Sequence, residues 1–178
     1  MLPFELVLRS VEPADQELLL RAYASTRAGE MALTGWDAAT RDAFVRMQFQ
    51  AQTHHYRRCW PASEHAVIEV HRAGAVHAAG RLWTDRRADA IHVLDIVVLP
   101  TWAGRGIGTQ CLRRLIDEAA ASGRAVSIHV EQGNPARRLY ERLGFAPTGP
   151  QQGLHQPMAW RPAAHVPNTE REACDEQA

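Results

Sequence analysis

The chain has 178 residues, 46 % of them apolar, and its twenty basic and twenty acidic side chains cancel to a formal net charge of zero. That length supports a sizeable core, and the charge balance gives no reason to expect nucleic acid or an anionic membrane as a partner. No apolar run is long enough to cross a bilayer, because charged residues interrupt each one.

Taken in order, Phe4 to Arg9 alternates as a first strand. Pro13 to Ala24 reads as a helix with proline in its first turn. Asp37 is a suitable N-cap for a second helix reaching about Tyr56, in which Phe44, Met47 and Ala51 recur at helical spacing. Glu64 to His71 and Ala75 to Thr84 flank Arg72-Ala73-Gly74 as a hairpin, and Thr84 to Asp89 reads as a charged turn. Ile91 to Leu99 is a nearly continuous apolar strand of the central kind. Gly106 to Ser122 is a helix closed by Gly123, followed by a strand from Ala125 to Val130. Asn134 and Pro135 open a further helix that stops before Gly144. Phe145 to Thr148 and His155 to Trp160 complete the strands. Residues 1–161 are expected to form one domain, and 162–178, poor in large apolar residues, a disordered acidic tail.

The stretch Thr101-Trp102-Ala103-Gly104-Arg105-Gly106-Ile107-Gly108-Thr109 carries the most chemistry. Alternate glycines between a strand and a helix permit a tight turn. Their amides, with the free amides of the helix's first turn, make a concave anion site. Gly108 is followed by Thr109 and Gln110 rather than Lys and Ser/Thr, so the loop is not of the nucleotide-triphosphatase type. The spacing by two throughout also departs from the dinucleotide fingerprint. Downstream lies Asn134-Pro135-Ala136-Arg137-Arg138-Leu139-Tyr140-Glu141-Arg142-Leu143-Gly144-Phe145.

Together the two segments resemble the acetyl-CoA site of the GNAT superfamily of N-acetyltransferases, closely over Ile91 to Phe145 and in element order on either side. The resemblance implies an α/β (α+β) fold: a mixed, mostly antiparallel sheet flanked by helices, with its fourth and fifth strands splayed around acetyl-CoA. It implies acetyl-CoA as acyl donor, held by Ala103, Gly104, Arg105, Gly106, Ile107, Gly108 and Thr109 at the phosphates and by the backbone at Val97 and Val98 along the pantetheine arm. Two departures stand out. Ala103 occupies a place where the family prefers Gln or Arg. Asn134 stands six residues before Tyr140, where seven is usual, so it reads equally as a cofactor ligand and as a plain helix cap.

The resemblance makes Tyr140 a contact of acetyl-CoA and the general acid that protonates the departing thiolate. For the base it offers Asp95, an acid within an apolar strand, and His129 and Glu131, which share one face of the next strand; water is a further option. Glu30, Trp36, Gln48 and Gln52 are candidate walls of the acceptor pocket. The reaction implied is direct attack by a primary amine, with Asp95 and Glu30 favouring a small cationic one. A protein N-terminus as acceptor is an alternative, as are a non-catalytic acyl-CoA sensor and an interaction module. None of Cys59, Cys111 and Cys174 sits in a recognised nucleophile setting. His54-His55 points apart on a helix, so no metal site is expected. The N-terminus lacks the basic start and apolar stretch of a signal peptide, so a cytoplasmic location is expected. The late strands and Trp160 leave a homodimer open.

Overall fold

The computed structural model describes residues 4–151 and 153–162. The expected acidic tail lies, from residue 163 on, outside the described residues. The elements are β1 (Glu5–Ser10), α1 (Gln16–Ala32), α2 (Ala38–Cys59), β2 (Glu64–Arg72), β3 (Ala75–Arg86), β4 (Ala90–Val98), α3 (Ile107–Ala121), β5 (Ala125–Glu131), α4 (Arg137–Arg142), β6 (Ala146–Pro147) and β7 (His155–Trp160). One seven-stranded sheet runs in the order β1-β2-β3-β4-β5-β7-β6. Among the described residues only β4 and β5 pair in parallel; every other neighbour is antiparallel. Parallel neighbours need a crossover, and α3 supplies it.

Alternation along the strands sorts the side chains onto two faces. One face meets α3 and α4 in the larger core: Ile68, Leu82, Ile91, Val93, Val126 and Ile128 pack with Ile107, Leu112, Leu115 and Tyr140. The other lies under α1 and α2, whose Leu19, Tyr23, Val45 and Phe49 form a second cluster. There His65 and Trp83 are directly paired across β2 and β3. Their rings stack with centroids 4.0 Å apart.

Several boundaries differ from the sequence reading. Pro13–Asp15 is a 3-10 turn, and α1 continues to Ala32 rather than stopping at Ala24. Packing of its later turns on α2 extends it past a stretch of middling propensity. Asp37 does cap α2, accepting from the Thr40 N–H at 2.7 Å. The expected charged turn at Thr84 begins later, because β3 runs on to Arg86. Thr84 and Asp85 are buried, and Arg86 is tied to Glu118 of α3 by two hydrogen bonds. The last helix is shorter than expected, with Asn134 to Ala136 in turn conformation before it.

Burial pushes the His65 imidazole down to about 4, helped by the positive charge of Arg81 and Arg57. An unfolded histidine titrates near 6.5, so the stability gained by keeping it neutral is complete above that pH and is lost as pH falls toward 4. The total is about 3 kcal/mol. His65→Phe, which keeps a ring against Trp83, is expected to flatten the fall in urea midpoint between pH 7 and pH 4.5. Parallel curves for the two proteins would assign the acid sensitivity elsewhere.

Candidate active site

The site begins where β4 and β5 part. They are paired only from Ala90 with Ala125 to Val93 with Ile128, although β4 continues to Val98 and β5 to Glu131. β3 pairs Thr84 with Val93 and Trp83 with Asp95, which leaves Leu94 as an extra residue in β4. Such a bulge bends its strand. It is pinned from above by the Tyr56 hydroxyl, which donates to the Leu94 carbonyl at 3.1 Å. Further along, a side chain at Gly80 would drive into the Val97 carbonyl oxygen, so glycine is what lets β3 follow β4 closely there. β4 thus keeps β3 on one edge and turns its other edge, from Leu94 to Val98, into an open slot. Backbone groups along such an edge call for a partner. An extended chain bearing amides can supply one by adding as a strand, and Val97 and Val98 lie on that stretch.

The slot leads to the glycine loop. Pro100–Trp102 forms a 3-10 turn, Ala103 is extended, and Gly104 and Gly106 take φ of 72° and 78°, the left-handed region. Gly106 caps α3, whose first backbone bond runs from Gln110 N to Gly106 O at 2.9 Å. The N–H groups of Ile107, Gly108 and Thr109 are therefore left over for an anion at the positive end of the helix. A Cβ added at Gly108 would stand 3.7 Å from Leu139 and 3.9 Å from Val98, so this turn draws α3, α4 and the end of β4 together. The Arg105 guanidinium rests 5.0 Å from the centre of the Trp102 ring, at the loop. Ala103 adds no polar side-chain group. Asn134 Oδ1 accepts from the Ala136 N–H at 2.9 Å, which closes the turn ahead of α4; the N-cap position itself is Ala136, so the expected side-chain cap by Asn134 is displaced into that turn.

The candidate proton carriers fall into different situations. Tyr140 is buried on the α3 side beside Phe145. Burial, reinforced by the charge of Asp95, pushes its phenol up to about 12. Asp95 itself is not free. Its Oδ2 lies 2.6 Å from Nε of Arg81, whose side chain is 1 % exposed. Burial raises the Asp95 carboxyl and Arg81 opposes that rise. The contact is one of charge rather than of aligned hydrogen bonding: Arg81 Nε and Nη1 and Asp95 Oδ2 have no hydrogen-bond partner among the described residues. Arg81 Nη2 donates to Gln52 at 3.0 Å, and the guanidinium lies 5.8 and 5.7 Å from the Tyr23 and Phe49 ring centres. Glu131 and Glu30 share Arg27, at 3.5 and 2.8 Å. His129 is exposed one residue past the last β4–β5 pair.

Of the expected pocket walls, Gln52 is occupied with Arg81. Trp36 packs edge-on against Phe44 at 5.2 Å with much of its ring exposed. Gln48 is half-buried on α2, and Glu30 is exposed and ion-paired. The sequence reading missed Arg81, Arg27 and Tyr56. A lone arginine among apolar neighbours in Gly80-Arg81-Leu82-Trp83 was the available signal, since burying a guanidinium demands an anion nearby. It also missed the contact of His92 Nδ1 with Ser127 Oγ at 2.5 Å across the parallel pair.

Sequence and fold comparisons agree with this geometry. The profile of the acetyltransferase (GNAT) family matches residues 33–145. The chain belongs to that family. Membership makes it an acyltransferase with acetyl-CoA as donor. Among solved structures, it resembles the PaiA N-acetyltransferase of Thermoplasma acidophilum in complex with coenzyme A. That match has 13 % identity and a TM-score of 0.59, over 88 % of this chain and 99 % of the other. An acetyltransferase from Thermus thermophilus matches at 22 % identity and TM-score 0.61, over 90 % and 99 %. At these identities the likeness speaks for the fold. A mouse relative, the cysteine-rich protein 2-binding protein, is 29 % identical over 87 residues. That is 49 % of this chain and only 11 % of the mouse protein's length.

Two outcomes are expected. Asp95→Asn leaves the Arg81 charge buried and uncompensated, which costs about 3–5 kcal/mol and is read as a lowered urea midpoint; unchanged stability with lost turnover would make Asp95 a base instead. Gly106→Val forces a branched residue into a positive φ that costs on the order of 1–3 kcal/mol, so calorimetric affinity for acetyl-CoA should fall roughly tenfold or more.

Proposed function

We propose that this acetyltransferase moves the acetyl group to a primary amine by direct attack, with no acyl-enzyme. The observation that carries the reading is the slot between β4 and β5, which has the glycine loop at one end and Tyr140 beside it. In this reading, Gly104 to Thr109 cradle the donor's phosphates by their amides and Val97 and Val98 pair with its pantetheine arm. Asn134 orders the turn before α4 and so the placement of Tyr140. The donor supplies a thioester carbonyl and a thiolate leaving group.

The amine reaches the slot from the α1–α2 side and must be neutral to attack. His129 takes its proton, because it alone of the three candidate bases forms no ion pair among the described residues, whereas Asp95 and Glu131 are engaged with Arg81 and Arg27. A new C–N bond forms as the C–S bond breaks, and the Tyr140 hydroxyl passes its proton to sulfur. With its phenol raised to about 12, Tyr140 holds that proton throughout the neutral range. The Cys111 thiol, pushed up to about 12 by burial, is unsuited to forming an acyl-enzyme. One domain over 1–161 and a cytoplasmic setting are part of the same reading. So is acetylation of a small-molecule or peptide acceptor.

Thiol release from acetyl-CoA with pooled primary amines tests it. Tyr140→Phe is expected to cut kcat about 10²-fold or more while acetyl-CoA affinity stays within about twofold. His129→Gln should lower kcat/KM for the amine while acetyl-CoA affinity stays within about twofold. Tight donor binding without release from any amine would favour a sensor and sink the transferase reading.

A further inference from the structure

A second cavity adjoins the slot. It encloses about 520 Å³ on the α2 side of the sheet, within the roughly 300–1,000 Å³ of ordinary small-molecule pockets. Leu94 and His129, the first residues past the last β4–β5 pair, both line it, so the cavity opens at the point where the slot begins. Its outer wall is aromatic. Tyr56 and Trp60 meet edge to face at 5.5 Å, with His55 against Trp60 at 5.7 Å. Its floor is a row of imidazoles from three adjacent strands, His92, His129 and His155, and Arg87 stands at its margin. Among the described residues, no carboxylate lines it. The acids that would suit a second ammonium are spent: Glu30 and Glu131 on Arg27, Asp95 on Arg81, and Asp85 on Arg87 Nε at 2.7 Å.

We infer that this cavity holds the body of the acceptor, and that the acceptor is an aromatic amino acid or a compound of that kind: a primary amine on a carbon bearing a carboxylate and a flat ring. The inference rests on the transfer reading above and narrows its acceptor. The ring lies against the wall that Tyr56 and Trp60 build together, where a flat apolar face and an edge are offered side by side. The carboxylate meets imidazole N–H groups and the free end of the Arg87 fork. The amine is left at Leu94 and His129, the mouth of the slot. A linear diamine would place its far ammonium among donors with no anion to receive it, so the paired carboxylates argue against the cationic acceptor that Asp95 and Glu30 suggest in the sequence alone.

The test has a binding arm and a turnover arm, both on the full chain. Indole-3-acetate, which has the ring and acid but no amine, is titrated while the histidine ring resonances are followed by NMR, with 1,5-diaminopentane as the matched cation. Indole-3-acetate is expected to saturate with shifts in His129 and His155, and Trp60→Ala and His155→Ala are expected to weaken it at least fivefold. In turnover, kcat/KM for tryptophan should exceed that for tryptamine, alanine and 1,5-diaminopentane by tenfold or more. The Trp60→Ala loss should appear in KM with kcat held within twofold. Saturable binding in the cavity without acetyl transfer would keep the cavity assignment and reject the transfer reading. Transfer to the diamine with no cavity binding of indole-3-acetate would overturn the inference and keep the transfer reading.

Discussion

The buried charge of Arg81 is the constraint on which the acceptor side of this molecule depends. A guanidinium that is 1 % exposed must be compensated from all sides, and here the compensation comes from three different elements around β3. Asp95 of β4 gives the opposing charge, Gln52 of α2 an acceptor, and Tyr23 of α1 and Phe49 of α2 their ring faces. Neither helix can move off the sheet without exposing or stranding that charge. The arrangement fixes α1 and α2 over β3 and β4, and it fixes β4 at the residue immediately after the bulge.

The slot follows from that anchoring together with the pairing pattern. β4 is bound along one edge to β3 for nearly its whole length, with Gly80 admitting the closest approach. β5 pairs with β4 only as far as Ile128 and then runs on beside β7 alone as far as Glu131. The Leu94 bulge bends β4 at that point, and the gap between the two strands is lined by the backbone groups that their separation leaves over. An open strand edge is usually a liability in a folded protein. Here it ends at a helix whose first amides are also unspent, so a single extended ligand with a phosphate at one end satisfies both.

The sequence made the glycine loop, the order of elements and the Tyr140 helix readable because each rests on local chemistry. Gly104 and Gly106 need a positive φ, and Asp37 needs only the amide three residues on. What stayed hidden depends on residues far apart in the chain. Asp95 looks like a free carboxylate until Arg81, on the neighbouring strand, is placed 2.6 Å away. Glu30 and Glu131 are distant in the chain and yet answer to the same arginine. The cavity draws on α2, β4, β5 and β7 at once, and no spacing along the chain announces it. The bulge at Leu94 was equally silent, since an inserted residue in an apolar strand leaves the composition unchanged. Asn134 is the intermediate case, a residue whose bond to a nearby amide could be read locally while its place in the turn before α4, and not at the helix cap, could not.

The slot joins the two faces of the sheet, with the glycine loop and Tyr140 toward one and the aromatic cavity toward the other. Under the function proposed, donor and acceptor then use separate doorways. Neither reactant has to depart to admit the other, and neither product is trapped behind its counterpart. The kinetic signature of such a layout is intersecting double-reciprocal lines, as for a ternary complex, in place of the parallel lines of an enzyme that alternates two ligands through one entrance.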